Sequence, residues 1–278
     1  KQITPNGQTT VIANLGSSSN PQGIITAASG SNTVLYVADS GPSTASNSID
    51  GSIKKIEVDT AGKATVTSFV DNKFKNPTGI AVDGSGNLYV ADQGASGVYK
   101  IPVSNGNPGA PIDLTLNSAT GTRPVEPQGL SLVTNPDKSL TLYTTDQNKS
   151  SNNIMKIEIP ASGETKDAKV SNVTAKSSGG SENGTKGNAD FNNPNGITTS
   201  KNGAIFVCDE NNNRVQVITP SGNVHTFAGS ERSGDSSGDD AKSSNFDSTK
   251  GIVIDNKGNL IVSDSDNGKI KKIAPKKL

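Results

Sequence analysis

The stretch Asn193-Pro194-Asn195-Gly196-Ile197-Thr198 breaks at a turn and resumes as Gly203-Ala204-Ile205-Phe206-Val207-Cys208-Asp209. Two short apolar and β-branched runs on either side of a turn read as a pair of strands. The pair recurs. Asn76-Pro77-Thr78-Gly79-Ile80-Ala81-Val82-Asp83 leads to Gly86-Asn87-Leu88-Tyr89-Val90-Ala91-Asp92. Likewise Thr249-Lys250-Gly251-Ile252-Val253-Ile254-Asp255 leads to Gly258-Asn259-Leu260-Ile261-Val262-Ser263-Asp264. Looser copies open at Pro21-Gln22-Gly23-Ile24 and Pro127-Gln128-Gly129-Leu130 and end their second strands at Asp39 and Asp146. The glycines return every 50 to 67 residues, the period of a propeller blade with its loops.

Each copy has a physical reading. Glycine after Pro-x allows the first strand to approach a central axis where a side chain would collide. Asp-x-x-Gly-Asn predicts a tight hairpin turn, with Gly and Asn taking positive φ. Third strands follow at Ser52–Ile56, Gly97–Ile101, Asn153–Ile157, Arg214–Ile218 and Lys269–Ile273, and their apolar/polar alternation predicts half-buried strands. A weaker fourth strand follows, as at Asn223–Ala228.

Composition agrees. Only 4% of the 278 residues are aromatic and there is no Trp, so the core must be many thin aliphatic layers. The 26 basic residues balance 26 acidic ones, which argues against nucleic acid and anionic membranes as partners. No apolar run reaches membrane-spanning length. Cys208, alone of its kind and set in an apolar run, reads as a buried inert thiol. Asn-x-Ser/Thr sequons at Asn148, Asn172 and Asn183 are what an Asn- and Ser-rich chain supplies by chance.

Three further segments carry a family resemblance. Asn211-Asn212-Asn213-Arg214-Val215-Gln216-Val217-Ile218 follows Asp209; a linker runs from Phe227-Ala228-Gly229-Ser230 to Phe246; and its pattern repeats from Ser178-Gly179-Gly180 to Ala189-Asp190-Phe191. With these segments the chain resembles the NHL-repeat β-propeller family over essentially its whole length. The expectation is a single all-β propeller over residues 1–278. It has five blades of four antiparallel strands, near 17–70, 71–118, 119–175, 176–229, and 230–278 with 1–16. Lys1–Ala13 aligns with Gln216–Ala228, so the N-terminal strand is expected to close the last blade and cover its edge. Six blades is the alternative, because members of the family often have six.

In such propellers ligands sit at one mouth of the central channel. The residues just before the repeated glycines, Gln22, Thr78, Gln128, Asn195 and Lys250, are expected to form a polar ring there with Lys250 as its cation. The five aspartates ending the second strands look like a metal cluster, but a residue repeated in every blade reads better as a loop cap accepting backbone N–H groups. If an ion is bound, Ca²⁺ suits the oxygen donors better than Zn²⁺.

Resemblance to lyase-type propellers would imply catalytic His with metal, and to lactonase-type propellers a Glu/Asn/Asp set around a divalent ion. The only histidine, His225, falls on an outer strand, and Asn195 with Glu126 is a thin match to the lactonase set. Asp235-Ser236-Ser237-Gly238-Asp239-Asp240 reads as a solvated linker, and Lys271, Lys272, Lys276 and Lys277 as a solvated basic edge.

These readings favour a non-catalytic, cofactor-free, monomeric binding or scaffold propeller. It would be secreted, periplasmic or displayed on the cell surface and engage a protein or glycan through one face. The alternative is a divalent-metal-dependent hydrolase or lyase with its site at the channel mouth.

Overall fold

A computed structural model describes residues 1–278 apart from 5, 43–47, 117–121, 175–178, 186, 239 and 275–278. Asp239, Lys276 and Lys277 of the charged segments, and Ser178 of the linker, lie outside the described residues. The fold is all-β, built from the five blades of a β-propeller, and the helices among the described residues are single 3₁₀ turns. The chain divides into two compact units, Lys1–Asp113 and Leu114–Leu278.

The first unit holds two blades, with their strands side by side in chain order. Blade one is Pro21–Ser29, Asn32–Asp39, Gly51–Val58 and Ala64–Phe74; blade two is Pro77–Val82, Leu88–Asp92, Gly97–Ile101 and Ile112–Asp113. Val34, Tyr36, Ala38, Ile53 and Val70 of one sheet pack on Ile80, Leu88, Val90 and Ile101 of the next. The second unit holds three. Blade three is Pro127–Thr134, Leu140–Asp146, Asn153–Ile159 and Lys169–Asn172. Blade four is Pro194–Thr199, Ile205–Asp209, Arg214–Ile218 and Asn223–Ala228, with Gly184–Thr185 added outside. Blade five is Thr249–Ile254, Leu260–Asp264 and Lys269–Ile273.

The strand expected to close the last blade lies in a ladder of its own, Gln2–Ile3 pairing with Thr9–Thr10. Gly7 takes φ +84° and donates to the Thr4 carbonyl at 2.8 Å, while Gln8 donates to Thr4 Oγ1 at 3.0 Å, so the turn brings its own flanks together.

The five repeated aspartates clamp the chain where it enters each blade. Asp39 accepts the backbone N–H of Asn20 at 2.7 Å, and Asp92 those of Lys75 and Asn76 at 2.9 and 2.8 Å. Asp146 accepts from Val125 and Glu126 at 3.2 and 2.8 Å, Asp209 from Asn192 at 2.7 Å, and Asp264 from Asp247 at 2.6 Å. All five are buried. A buried carboxylate is tolerated only with such donors.

Three of the repeated glycines, Gly23, Gly129 and Gly196, lie against a neighbouring blade. A Cβ on Gly23 would sit 2.2 Å from the Thr78 carbonyl oxygen, on Gly129 2.5 Å from that of Asn195, and on Gly196 2.3 Å from that of Lys250. The first strands of blades one, three and four are therefore pressed against the backbone of the first strand that follows. At the hairpin turns, positive φ falls on Gly86 and Gly258, not on the neighbouring asparagines. The Asn87 and Asn259 side chains instead donate to Asp83 and Asp255 at 2.8 and 2.6 Å. The third strand of blade four also departs from expectation, since its polar residues Arg214 and Gln216 are fully buried. Both donate to Asp209 Oδ2 at 2.8 Å, which gives them reason to turn inward.

Gly196→Ala forces a methyl onto a carbonyl and is expected to cost ~1–3 kcal/mol. At Gly251 a Cβ would meet only the Ser263 side chain, its Oγ at 3.2 Å, so Gly251→Ala serves as the mild counterpart. Urea denaturation of the two variants should show a clearly lower midpoint for Gly196→Ala alone; equal losses would contradict the interlock.

Candidate functional site

Gln22 and Thr78 belong to the first unit. Gln22 is exposed and donates from Nε2 to Asn20 Oδ1 at 2.9 Å; Thr78 is buried and donates from Oγ1 to the Ala91 carbonyl at 3.2 Å. Thr78 is thus part of the sheet and turned away from solvent. Gln128, Asn195 and Lys250 belong to the second unit. The carbonyls of Asn195 and Lys250 lie against Gly129 and Gly196, so the three first strands run as neighbours and carry these three residues in series.

Glu210 ties two of these blades together, and the sequence reading missed it. It opens the 3₁₀ turn Glu210–Asn212, directly after the clamp Asp209, and Asn213 ends that turn at φ 52°. Its Oε2 accepts from Asn195 Nδ2 at 2.9 Å and Asn193 Nδ2 at 3.0 Å, while Oε1 accepts from Ser248 Oγ at 3.0 Å. Lys250 Nζ stands 3.7 Å from Oε1. The Glu210 side chain is 13% exposed and that of Lys250 50%, so a sheltered carboxylate anchors a cation that reaches solvent. One signal was available. The residue after the clamp aspartate is Ser40, Gln93, Gln147, Glu210 or Ser265, and only blade four places a charge there.

In blade two the corresponding bond is neutral, Asn76 Nδ2 to Gln93 Oε1 at 2.6 Å. In blade three Glu126 accepts from Asn148 Nδ2 at 3.4 Å. Asn195 therefore has Glu210 as its carboxylate, which leaves Glu126, already a thin match, to Asn148.

The arrangement does not suit a divalent ion. Glu210 is surrounded by amide N–H, hydroxyl and ammonium groups, whereas Ca²⁺ takes six or more oxygens and would be repelled by Lys250. Among the described residues no three His, Cys, Asp or Glu side chains gather as a metal-binding group.

The other singled-out residues fall elsewhere. Cys208 is fully buried, and burial pushes its thiol up, out of the reactive range. His225 lies on the fourth strand of blade four, partly buried, its pKa lowered by burial and by nearby Lys242. Asp235 is not simply solvated: it pairs with Lys269 and lies 3.5 Å from Lys271 Nζ, contacts that hold its carboxyl below the usual range. Lys271 is likewise drawn in. It bonds Asp264 at 2.7 Å and stands 4.9 Å over the Phe246 ring.

Residues 191–218 match the NHL repeat, in agreement with an NHL-repeat β-propeller. No curated protein matches this sequence. Among solved structures the fold is similar to an auxiliary nutrient binding protein from Bacteroides thetaiotaomicron VPI-5482, at TM-score 0.68 and 17% identity over 91% of this chain. The chain spans 58% of that protein's length. A second auxiliary nutrient binding protein, from Bacteroides ovatus ATCC 8483, matches at TM-score 0.50 and 17% identity over 88% of this chain and 66% of its own. A streptogramin B lyase matches at TM-score 0.53 and 14% identity, over 94% of this chain and 70% of its own. At these identities the likeness is one of fold.

Glu210→Ala would strand the Asn195, Asn193 and Ser248 donors and is expected to cost ~1–3 kcal/mol. Lys250→Ala removes an exposed partner of a long ion pair and should stay within ~0.5 kcal/mol of the parent. Chemical denaturation of the two variants checks the contrast, and equal effects would remove Glu210 from its role as the anchor.

Proposed function

We propose that this chain is a non-catalytic, extracytoplasmic binding propeller that engages a glycan or protein ligand. The binding face carries Gln128, Asn195 and Lys250, with Glu210 holding the latter two. The observation that carries the reading is the Glu210 network. It presents amide, carboxylate and ammonium groups already oriented by one another, the kind of preset polar donor and acceptor set that fixes a polar ligand.

The same network argues against hydrolysis. Its carboxylate is engaged by three neutral donors and a cation, so it offers neither a free base nor a cation cage. His225, the only imidazole in the chain, sits on a fourth strand while Asn195 is on a first strand of the same blade. Similarity of fold to two auxiliary nutrient binding proteins is in keeping with ligand capture outside the cytoplasm. No helix among the described residues is long and apolar enough to cross a membrane.

A glycan array followed by titration calorimetry tests the proposal. Oligosaccharide binding without turnover is expected, weakened at least roughly tenfold, or about 1.4 kcal/mol, by Lys250→Ala and by Asn195→Ala. Turnover of a lactone or ester panel that either substitution abolishes would overturn it.

A further inference from the structure

Within each unit one blade packs on the next through a repeated set of residues. The third strands of the first four blades carry Ile53, Val98, Ile154 and Val215 opposite Ala38, Ala91, Thr145 and Cys208 of the second strands. All of these side chains are fully buried. Their counterpart on a following first strand is the residue after the repeated glycine. Ile80 shares a core with Ile53, Ile197 with Ile154, and Ile252 with Val215. Those three counterparts are only 5 to 6% exposed.

Blade five carries the first half of this contact on an open face. Ile270 stands opposite Ser263 in the register that sets Val215 opposite Cys208, yet it is 54% exposed. Val253 lies on the same face through its pairing with Ile261 and is 59% exposed. The backbone agrees. A Cβ on Gly196 would strike the Lys250 carbonyl of the next blade, whereas at Gly251 it meets only the Ser263 side chain of its own blade. The glycine is kept where, among the described residues, no strand presses on it. Lys272 shares this face, and its charge is answered by the Asp255 carboxylate across the sheet.

Blade one carries the second half. Ile24 follows Gly23 and pairs with Val37, as Ile80 follows Gly79 and pairs with Val90. It is nevertheless 62% exposed. On the same face Leu35, Val37 and Ile56 are buried, with Ala13 and Leu15 packed against them, so Ile24 is the part left open. Exposed apolar residues with the geometry of a contact built elsewhere in the chain mark an interaction surface.

We infer that the open face of blade five is a docking surface for blade one of a second copy of this chain. Ile24 of one copy seats on Ile270 and Val253 of the other, and the Gln22 carbonyl lies over Gly251 as the Lys250 carbonyl lies over Gly196. Because the two faces differ, the assembly is head-to-tail, in place of the monomer expected from the sequence.

Sedimentation velocity of the full chain, followed from micromolar to near-millimolar concentration, tests this. The average mass of the parent should rise with concentration. Ile24→Glu, Ile270→Glu and Gly251→Ala should each weaken self-association at least roughly tenfold, with denaturation midpoints showing that all three are folded. An equal mixture of the Ile24→Glu and Ile270→Glu proteins retains one intact pair of faces and should stop at a dimer. A parent that stays monomeric, a loss on Ile270→Glu with none on Ile24→Glu, or a mixture that does not associate would overturn the inference.

Discussion

A buried aspartate at the end of each second strand, accepting the backbone N–H groups of the chain as it enters the blade, fixes everything downstream of it. Asp209 illustrates why. It is fully buried, and its two oxygens take Asn192 N–H, Asn212 Nδ2, Arg214 Nε and Gln216 Nε2 at 2.7 to 2.8 Å. Burial pushes its carboxyl up, and Arg214 with the other donors pulls it back. Without those donors a buried carboxylate would not persist. With them, Asn192 is pinned to the second strand, and Asn193-Pro194-Asn195 starts from a fixed place. The position of Asn195 beside Glu210 therefore depends on a clamp that touches neither side chain.

The same constraint explains how repeated blades diverge. The clamp needs an aspartate and an incoming N–H, and leaves free whatever else satisfies the carboxylate. Blade four uses Arg214 and Gln216. Blade five has Lys269 and Lys271 at the corresponding places, and it is Lys271 that reaches Asp264 while Lys269 turns out to Asp235. That exchange draws Lys271 over Phe246 and ties the linker to the sheet through Asp235 and the Asn245 carbonyl. A position that looks like an ordinary lysine on an edge strand thus joins the linker to the core of blade five.

What could be read in the sequence was what each blade must do for itself. The strands, the clamp role of Asp39, Asp92, Asp146, Asp209 and Asp264, and the inert Cys208 all follow from local pattern, because local hydrogen bonds and apolar runs decide them. What could not be read depends on the neighbouring blade or on burial. The repeated glycines were legible as sites of close approach, but not that at Gly23, Gly129 and Gly196 the approach is to the carbonyl of the neighbouring blade's first strand. Glu210 was missed because its partners Ser248 and Lys250 are close only once blades four and five are packed. Arg214 and Gln216 alternate like surface residues, yet the neighbouring Asp209 makes burial the cheaper arrangement. The N-terminal segment matches the end of blade four in sequence, and its turn at Thr4–Gly7 pairs Gln2–Ile3 with Thr9–Thr10 as the turn at Thr219–Gly222 pairs the strands of blade four.

The two polar regions of the second unit differ in how their lysines are compensated, and this bears on what each can hold. Lys250 approaches a carboxylate that is itself bonded to two amides and a hydroxyl, so the local charge is close to zero. A ligand there gains mainly from directed hydrogen bonds, which favours neutral polar groups such as hydroxyls. Blade five compensates its lysines differently: Lys271 is taken up by Asp264 and the Asn245 carbonyl, and Lys269 by Asp235. The residue that follows the clamp therefore decides whether a blade sets a charge or only neutral polarity beside its first strand, and Glu210 is the one charge so placed.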